Sequence, residues 1–265
     1  MNDMSDFRSR IRVGPVWGLL LALVVATGGP AGAQQFNGDN QWVAPHGVAT
    51  FAPTVGQEYS MFIAVAALLP ETEFNIGVTH FYDKPLDLTE GRYSGIFYVK
   101  RRLSENEAGT GGWAVMGGTG VNPSYLQKGE VTDTFQSWWA NAVYTIPFRD
   151  GAVTWDLLPG FLVNLDKDQS GETAWGMTYS TRVAVYKIIP HSAIVGEVFG
   201  TTGEAYAEPT WRLGVRWESR RVIIAATYGD SFSGAGSPRF EIGAIFFTNQ
   251  LKFLCLGKCQ KDPDW

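Results

Sequence analysis

Between residues 211 and 229 apolar and polar positions alternate. Trp211, Leu213, Val215 and Trp217 fall on one side; Arg212, Gly214, Arg216 and Glu218 fall on the other. Successive side chains of a strand point to opposite faces. The pattern therefore predicts a strand that is greasy on one face and charged or tiny on the other. A second strand follows Ser219-Arg220, and the two form a hairpin. The alternation recurs. Phe74, Ile76, Val78, His80 and Tyr82 oppose Asn75, Gly77 and Thr79, while Trp155, Leu157, Phe161, Val163 and Leu165 oppose Thr154, Asp156, Gly160 and Asn164. Val195 and Phe199 oppose Gly196 and Gly200, and residues 173–188 place Gly176, Thr178, Ser180 and Arg182 on one side.

Other stretches are less periodic. Residues 59–68 are apolar throughout, a run that periodicity alone cannot assign; a strand is expected, with a buried helix or plug as the alternative. Residues 41–51 offer a first strand weakened by Pro45 and Gly47. Residues 93–102, 113–121, 133–148 and 240–251 complete the set. Arg149-Asp150-Gly151-Ala152 is a tight turn, because Asp-Gly supplies the positive φ that a hairpin needs. Short turns (149–152, 189–192, 219–221) alternate with longer connections (104–112, 166–172, 200–209, 231–239). Short turns at one end and long loops at the other, with an even strand number, are the habit of outer-membrane barrels. The reading is an all-β, antiparallel up-and-down transmembrane β-barrel of about twelve strands, with ten as the fallback.

The N-terminus supplies an address. Arg8, Arg10 and Arg12 precede an apolar run of 11 residues, 16–26, then Gly28-Gly29-Pro30 and the small-residue site Ala31-Gly32-Ala33. This is the form of a Sec signal peptide cut before Gln34. The expected organisation is a signal peptide at 1–33 and one barrel domain at 34–265, ending in a polar, cysteine-containing tail at 254–265. No later run reaches the length of a membrane-spanning helix. A membrane location for the mature chain thus requires a barrel, since only helices and closed barrels satisfy every backbone group in lipid. The alternatives are a periplasmic or secreted soluble β-barrel that binds a ligand.

Composition sharpens this picture. Of 265 residues 18% are charged and 14% aromatic, with ten Trp. The charged fraction is low against about 25% in soluble domains, and Trp and Tyr form the interfacial girdles of membrane barrels. The net charge is −5, which disfavours nucleic acid as a partner. The expected partners are the lipid bilayer and a small solute.

Candidate chemistry is concentrated on the polar strand faces. Asp156, Arg182, Arg212, Arg216, Glu218 and Glu241 are the expected inward charges; Glu197 is the least certain of phase, because it alternates with Val195 and Phe199. Such a set forms either a constriction that selects solutes or a salt-bridge network that closes a narrow lumen. Cys255 and Cys259 fit a local disulfide in an oxidising compartment better than a metal pair. Asp166, Asp168 and Ser170 resemble the start of a calcium loop, but Met177 stands where a bidentate Glu is needed, which leaves weak calcium binding at most. Only three histidines, His46, His80 and His191, are available. There is no Gly-x-Ser-x-Gly elbow, nucleotide-binding fingerprint or haem motif. No catalytic residue and no cofactor are expected, although a lipid-modifying enzyme is not excluded.

Three segments, Gly-Val-Arg-Trp at 214–217, Ala-Ala-Thr-Tyr-Gly-Asp at 225–230 and Phe-Glu-Ile-Gly-Ala-Ile-Phe-Phe at 240–247, resemble outer-membrane barrels of the MetA-pathway-of-phenol-degradation group and related transporter-like proteins. The resemblance implies a small channel or transporter for small or apolar solutes. A non-conducting structural or interaction barrel is the competing expectation. The final strand is expected to end at Phe253.

Overall fold

A computed structural model describes residues 39–82, 93–124, 134–167, 171–234 and 239–259. The expected signal peptide lies outside the described residues. Thirteen strand segments follow one another: β1 (Ala49–Gly56), β2 (Tyr59–Leu69), β3 (Thr72–Phe81), β4 (Tyr93–Glu105), β5 (Gly112–Gly120), β6 (Ser137–Phe148), β7 (Val153–Leu157), β8 (Gly160–Lys167), β9 (Glu172–Tyr186), β10 (Ser192–Gly203), β11 (Ala207–Glu218), β12 (Val222–Ser231) and β13 (Arg239–Phe247). Apart from β7 and β8, which do not pair with each other, each pairs antiparallel with its chain neighbours, and β1 pairs with β13, so the sheet closes on itself.

The barrel has twelve staves, not thirteen. Both β7 and β8 lie between β6 and β9. They are one strand interrupted at Pro159, which has no N–H for the ladder. The interruption is bridged: Leu158 and Ser180 exchange backbone hydrogen bonds of 2.9 and 3.1 Å, and the Pro159 carbonyl accepts from Ala142 N–H. The side-chain phase survives it. Thr154, Asp156, Leu158 and Asn164 are all buried, whereas Trp155, Phe161 and Leu165 are exposed.

Burial separates the two faces of β11 sharply. Leu213 and Val215 are 57% and 60% exposed; Arg212 and Arg216, one residue away, are each 3% exposed. The outer surface carries an apolar band around the barrel, edged by aromatic side chains. Trp113, Tyr144 and Phe148 lie toward the end where β1 begins and β13 finishes, here the terminal end; Trp138, Trp175 and Tyr228 lie toward the other, distal end. That is the surface a bilayer requires.

The interior is divided into halves. Residues of β2 to β6 form an apolar wall that includes Met61, Ile63, Ile96, Tyr98, Met116 and Trp139, joined by Leu158 on the stave next to β6 and by Phe199 on β10. The run at 59–68 is therefore a strand and not a helix. It lacks a period because both of its faces are apolar, one toward lipid and one toward this wall. Gly118 is essential to the wall. It lies directly between Tyr98 and Trp139 on the neighbouring strands. Lacking a side chain, it lets the two rings meet above it at 5.3 Å between centroids.

Several expected boundaries move. The first strand begins at Ala49 rather than Gln41, and residues 39–48 enter the barrel instead. Pro45 and the positive φ of Gly47 (85°) keep that segment from joining the sheet. The expected long loop at 200–209 is mostly strand, because β10 runs to Gly203 and β11 starts at Ala207. The 106–111 connection lies at the terminal end among the short turns. The last strand ends at Phe247; Phe253 lies beyond it, in a single 3-10 turn over Lys252–Leu254.

A Cβ on Gly118 would stand 2.2 Å from the Phe97 carbonyl oxygen and 2.4 Å from Tyr98 Cβ. Gly118→Val should thus destabilise the barrel by at least about 2–3 kcal/mol, measured by urea unfolding in lipid vesicles. Unchanged stability would show that the wall is not packed around this glycine.

Candidate functional site in the barrel interior

The polar half of the interior is built around one row of side chains. Thr145 on β6, Asp156 on β7, Arg182 on β9, Glu197 on β10 and Arg212 on β11 stand directly opposite one another on consecutive staves. Directly opposed residues on a sheet face have Cβ atoms about 4.5–5.5 Å apart. The signs alternate along this charge ladder. Thr145 Oγ1 donates to Asp156 Oδ1 at 2.5 Å, and Arg182 Nη2 donates to Asp156 Oδ2 at 2.5 Å. Ser180 Oγ donates to Glu197 Oε1 at 2.8 Å. Arg212 sits between two carboxylates, with Nη1 at 3.9 Å from Glu197 Oε2 and Nη2 at 3.9 Å from Glu241 Oε1. Its guanidinium also lies over the Phe199 ring at 4.4 Å. Glu241 accepts from Tyr59 Oη and from Thr227 Oγ1, the latter at 3.2 Å.

Of the inward charges expected from sequence, Asp156, Arg182, Arg212 and Glu241 join this network, as does Glu197. Arg216 and Glu218 form a separate group nearer the terminal end. Arg216 pairs with Glu218, donates to Tyr186 Oη at 2.8 Å and lies 5.5 Å from that ring.

The terminal end is closed by the chain itself. Residues 39–48 fold into the lumen and are held at the wall by polar contacts. Lys100 Nζ donates to Asp39 Oδ1 at 2.7 Å and to the Trp42 carbonyl. Ala44 N–H donates to Glu73 Oε1 at 2.5 Å, and Gln41 N–H donates to Thr145 Oγ1 at 3.0 Å. Glu73 and Lys100 are themselves direct cross-strand partners. The other side of this plug is apolar: Ala44 and Val48 pack with Ala67, Ile223, Ile245 and Phe247. Trp42 meets Phe247 edge-on at 5.6 Å. Thr145 thus joins the plug to the charge ladder. From the distal end, residues 121–124 also turn inward: Asn122 Nδ2 donates to Asn141 Oδ1 at 2.9 Å, and Val121 joins the apolar wall.

The plug, Glu73, Tyr59 and Thr145 escaped the sequence reading. Lys100 was accessible to it, because Ser94, Ile96, Tyr98 and Lys100 share one phase and all four are buried. No local pattern marks residues 39–48 as a plug, since their partners are as far away as Thr145.

The remaining candidates are dispersed. Cys255 and Cys259 are joined by a disulfide. Asp168 and Ser170 lie outside the described residues. Among the described residues no group of three or more His, Cys, Asp or Glu is arranged to hold a metal ion. His46 lies in the plug, with Nε2 at 3.1 Å from the Leu68 carbonyl. His80 stacks on Tyr93 at 4.6 Å, and His191 occupies the turn after β9 with a φ of 61°.

No protein-family model and no curated protein sequence matches the chain. Among solved structures, the chain is similar to the COG4313 outer membrane channel from Pseudomonas putida F1, at 12% identity and a TM-score of 0.43, over 77% of this chain and 96% of that one. It is also similar to a loop L8 deletion mutant of OmpT, an outer membrane protein of Vibrio cholerae, at 11% identity and a TM-score of 0.35, over 76% and 97% of the two chains.

The buried ladder sets a mutational expectation. Removing one partner leaves an uncompensated buried charge, whereas removing both can be close to neutral. Arg182→Met should cost about 3–5 kcal/mol in urea unfolding, and adding Asp156→Leu should recover a large part of it. A double variant whose loss equals the sum of the single losses would show that the two side chains are not coupled.

Proposed function

We propose that the protein is an integral outer-membrane barrel in a closed state, and that it passes small, largely apolar solutes when the plug and the facing side chains move aside. The observation that carries this reading is the manner of closure. The lumen is filled by a chain segment and by side chains; the backbone of that segment meets the strands at its end, where Gly47 and Val48 bond Ala67 of β2. The backbone barrel can stay intact while they shift, so opening needs no strand to separate.

The chemistry of the interior supports the solute class. An ion entering would have to displace charges already paired at low dielectric, where replacement by water is the only compensation. A small apolar molecule has the opposite half of the lumen, lined by Met61, Ile63, Ile96 and Trp139. The ladder then acts as the ion-excluding side of the passage, with Arg212 held between Glu197 and Glu241. The transporter-like barrels that the C-terminal segments resemble fit this assignment. The rival reading, a non-conducting structural barrel, draws on the same dense interior, and the two diverge on a single experiment.

Reconstituted wild-type protein should show almost no ion conductance in a planar bilayer, yet should speed entry of a small aromatic hydrocarbon into vesicles. Asp39→Ala combined with Glu73→Gln and Lys100→Met loosens the plug without leaving a lone charge, and should produce frequent open events. Arg212→Ala should change the ion selectivity of those events. If the loosened variant remains a folded barrel but gives neither current nor solute entry, the channel reading fails and the structural one replaces it.

A further inference from the structure

After β13 the segment 248–259 does not trail into solvent. It crosses the terminal end of the barrel and is pinned there. Leu251 N–H donates to the Gly47 carbonyl at 2.8 Å and Gln250 Nε2 to the His46 carbonyl at 2.7 Å. Leu256 N–H donates to the Leu68 carbonyl at 2.9 Å. The Cys255–Cys259 disulfide closes the following loop. Despite this anchorage, Phe253 is 80% exposed and Leu256 60% exposed. Lys252 and Lys258 beside them are also exposed, and no carboxylate occurs from residue 251 to residue 259.

We propose that this tail docks on the phospholipid surface of the bilayer leaflet at the terminal end. Phe253 and Leu256 enter the acyl-chain boundary, and Lys252 and Lys258 pair with anionic headgroup phosphates. The proposal rests on the membrane reading given above. Three observations support a lipid occupant. First, the tail is continuous with the lipid-facing band: Leu256 is bonded to Leu68, and the next residue, Leu69, is exposed on β2. Second, apolar tips between cations are complementary to acyl chains beneath anionic headgroups. Third, two apolar side chains are far too small a core for a stable protein interface, which buries about 800 Å² on each partner. A bilayer edge has no such minimum, because it is already in contact with the neighbouring strands. The disulfide adds pre-organisation: a closed loop loses less conformational freedom on insertion than an open one.

The test uses the full mature chain carrying Phe253→Trp, reconstituted in phosphatidylcholine bilayers with and without phosphatidylglycerol, and compared with the parent protein to subtract its own tryptophans. The added emission should be quenched by lipids brominated on their acyl chains. In the parent protein, a water-soluble amine reagent should label Lys252 and Lys258 at least about three-fold more slowly in the anionic bilayers, and high salt should abolish that difference. Emission quenched by aqueous iodide and not by brominated lipid overturns the docking; it is the result expected of a surface for a soluble partner. Labelling indifferent to lipid charge overturns the headgroup pairing. Heat-modifiable gel mobility and retention after a urea wash are recorded on the same samples. Their loss would overturn the membrane reading and the docking with it, whereas their persistence confines any failure to the tail.

Discussion

The pairing of β1 with β13 is the contact on which everything else depends. It joins residues as far apart as Thr50 and Phe247, and it removes the only two free edges of the sheet. Without it, two rows of backbone N–H and C=O groups would face hydrocarbon, at a cost of several kcal/mol for each group. With it, the wall satisfies itself, and the side chains are relieved of that duty. The outer face can then be wholly apolar, as on Leu213 and Val215, while the inner face is free to hold charge.

That freedom creates a second constraint. An interior closed to water must pair every charge it encloses. The ladder from Thr145 to Arg212 meets the demand by placing acid, base, acid and base on successive staves, so that cross-strand geometry does the matching. The plug depends on the same rule. Its free N–H groups find Glu73 and Thr145, and its carboxylate finds Lys100. Filling the lumen and satisfying its polar groups are therefore one process rather than two.

The sequence made the outer wall far more legible than the interior. On β11 the two faces differ in every residue, so period two alone assigns them. On β2 it cannot, because Met61 and Phe62 face different surroundings that are both apolar. Glu197 illustrates the same limit. Its phase companions Val195 and Phe199 suggested a lipid-facing row, yet Phe199 is fully buried. The assumption at fault was a uniformly polar interior. One half of this lumen is apolar, and there the alternation carries no sign. The plug was hidden for another reason: what fixes residues 39–48 is a set of partners on β3, β4 and β6, and no neighbour in the chain announces them.

The position of that plug has a mechanical meaning. Gly47 lies just before β1 and Leu251 just after β13, and they are hydrogen-bonded to each other; Ala49 N–H likewise donates to Thr248 Oγ1 at 3.0 Å. The segments that flank the first and last strands are thereby stitched together below the one junction that the linear order of the chain does not enforce. A barrel opens sideways most readily where its first and last strands meet, since elsewhere a covalent turn joins strands at one end. In this protein the stitch acts as the missing turn, and the seam is braced like any other hairpin.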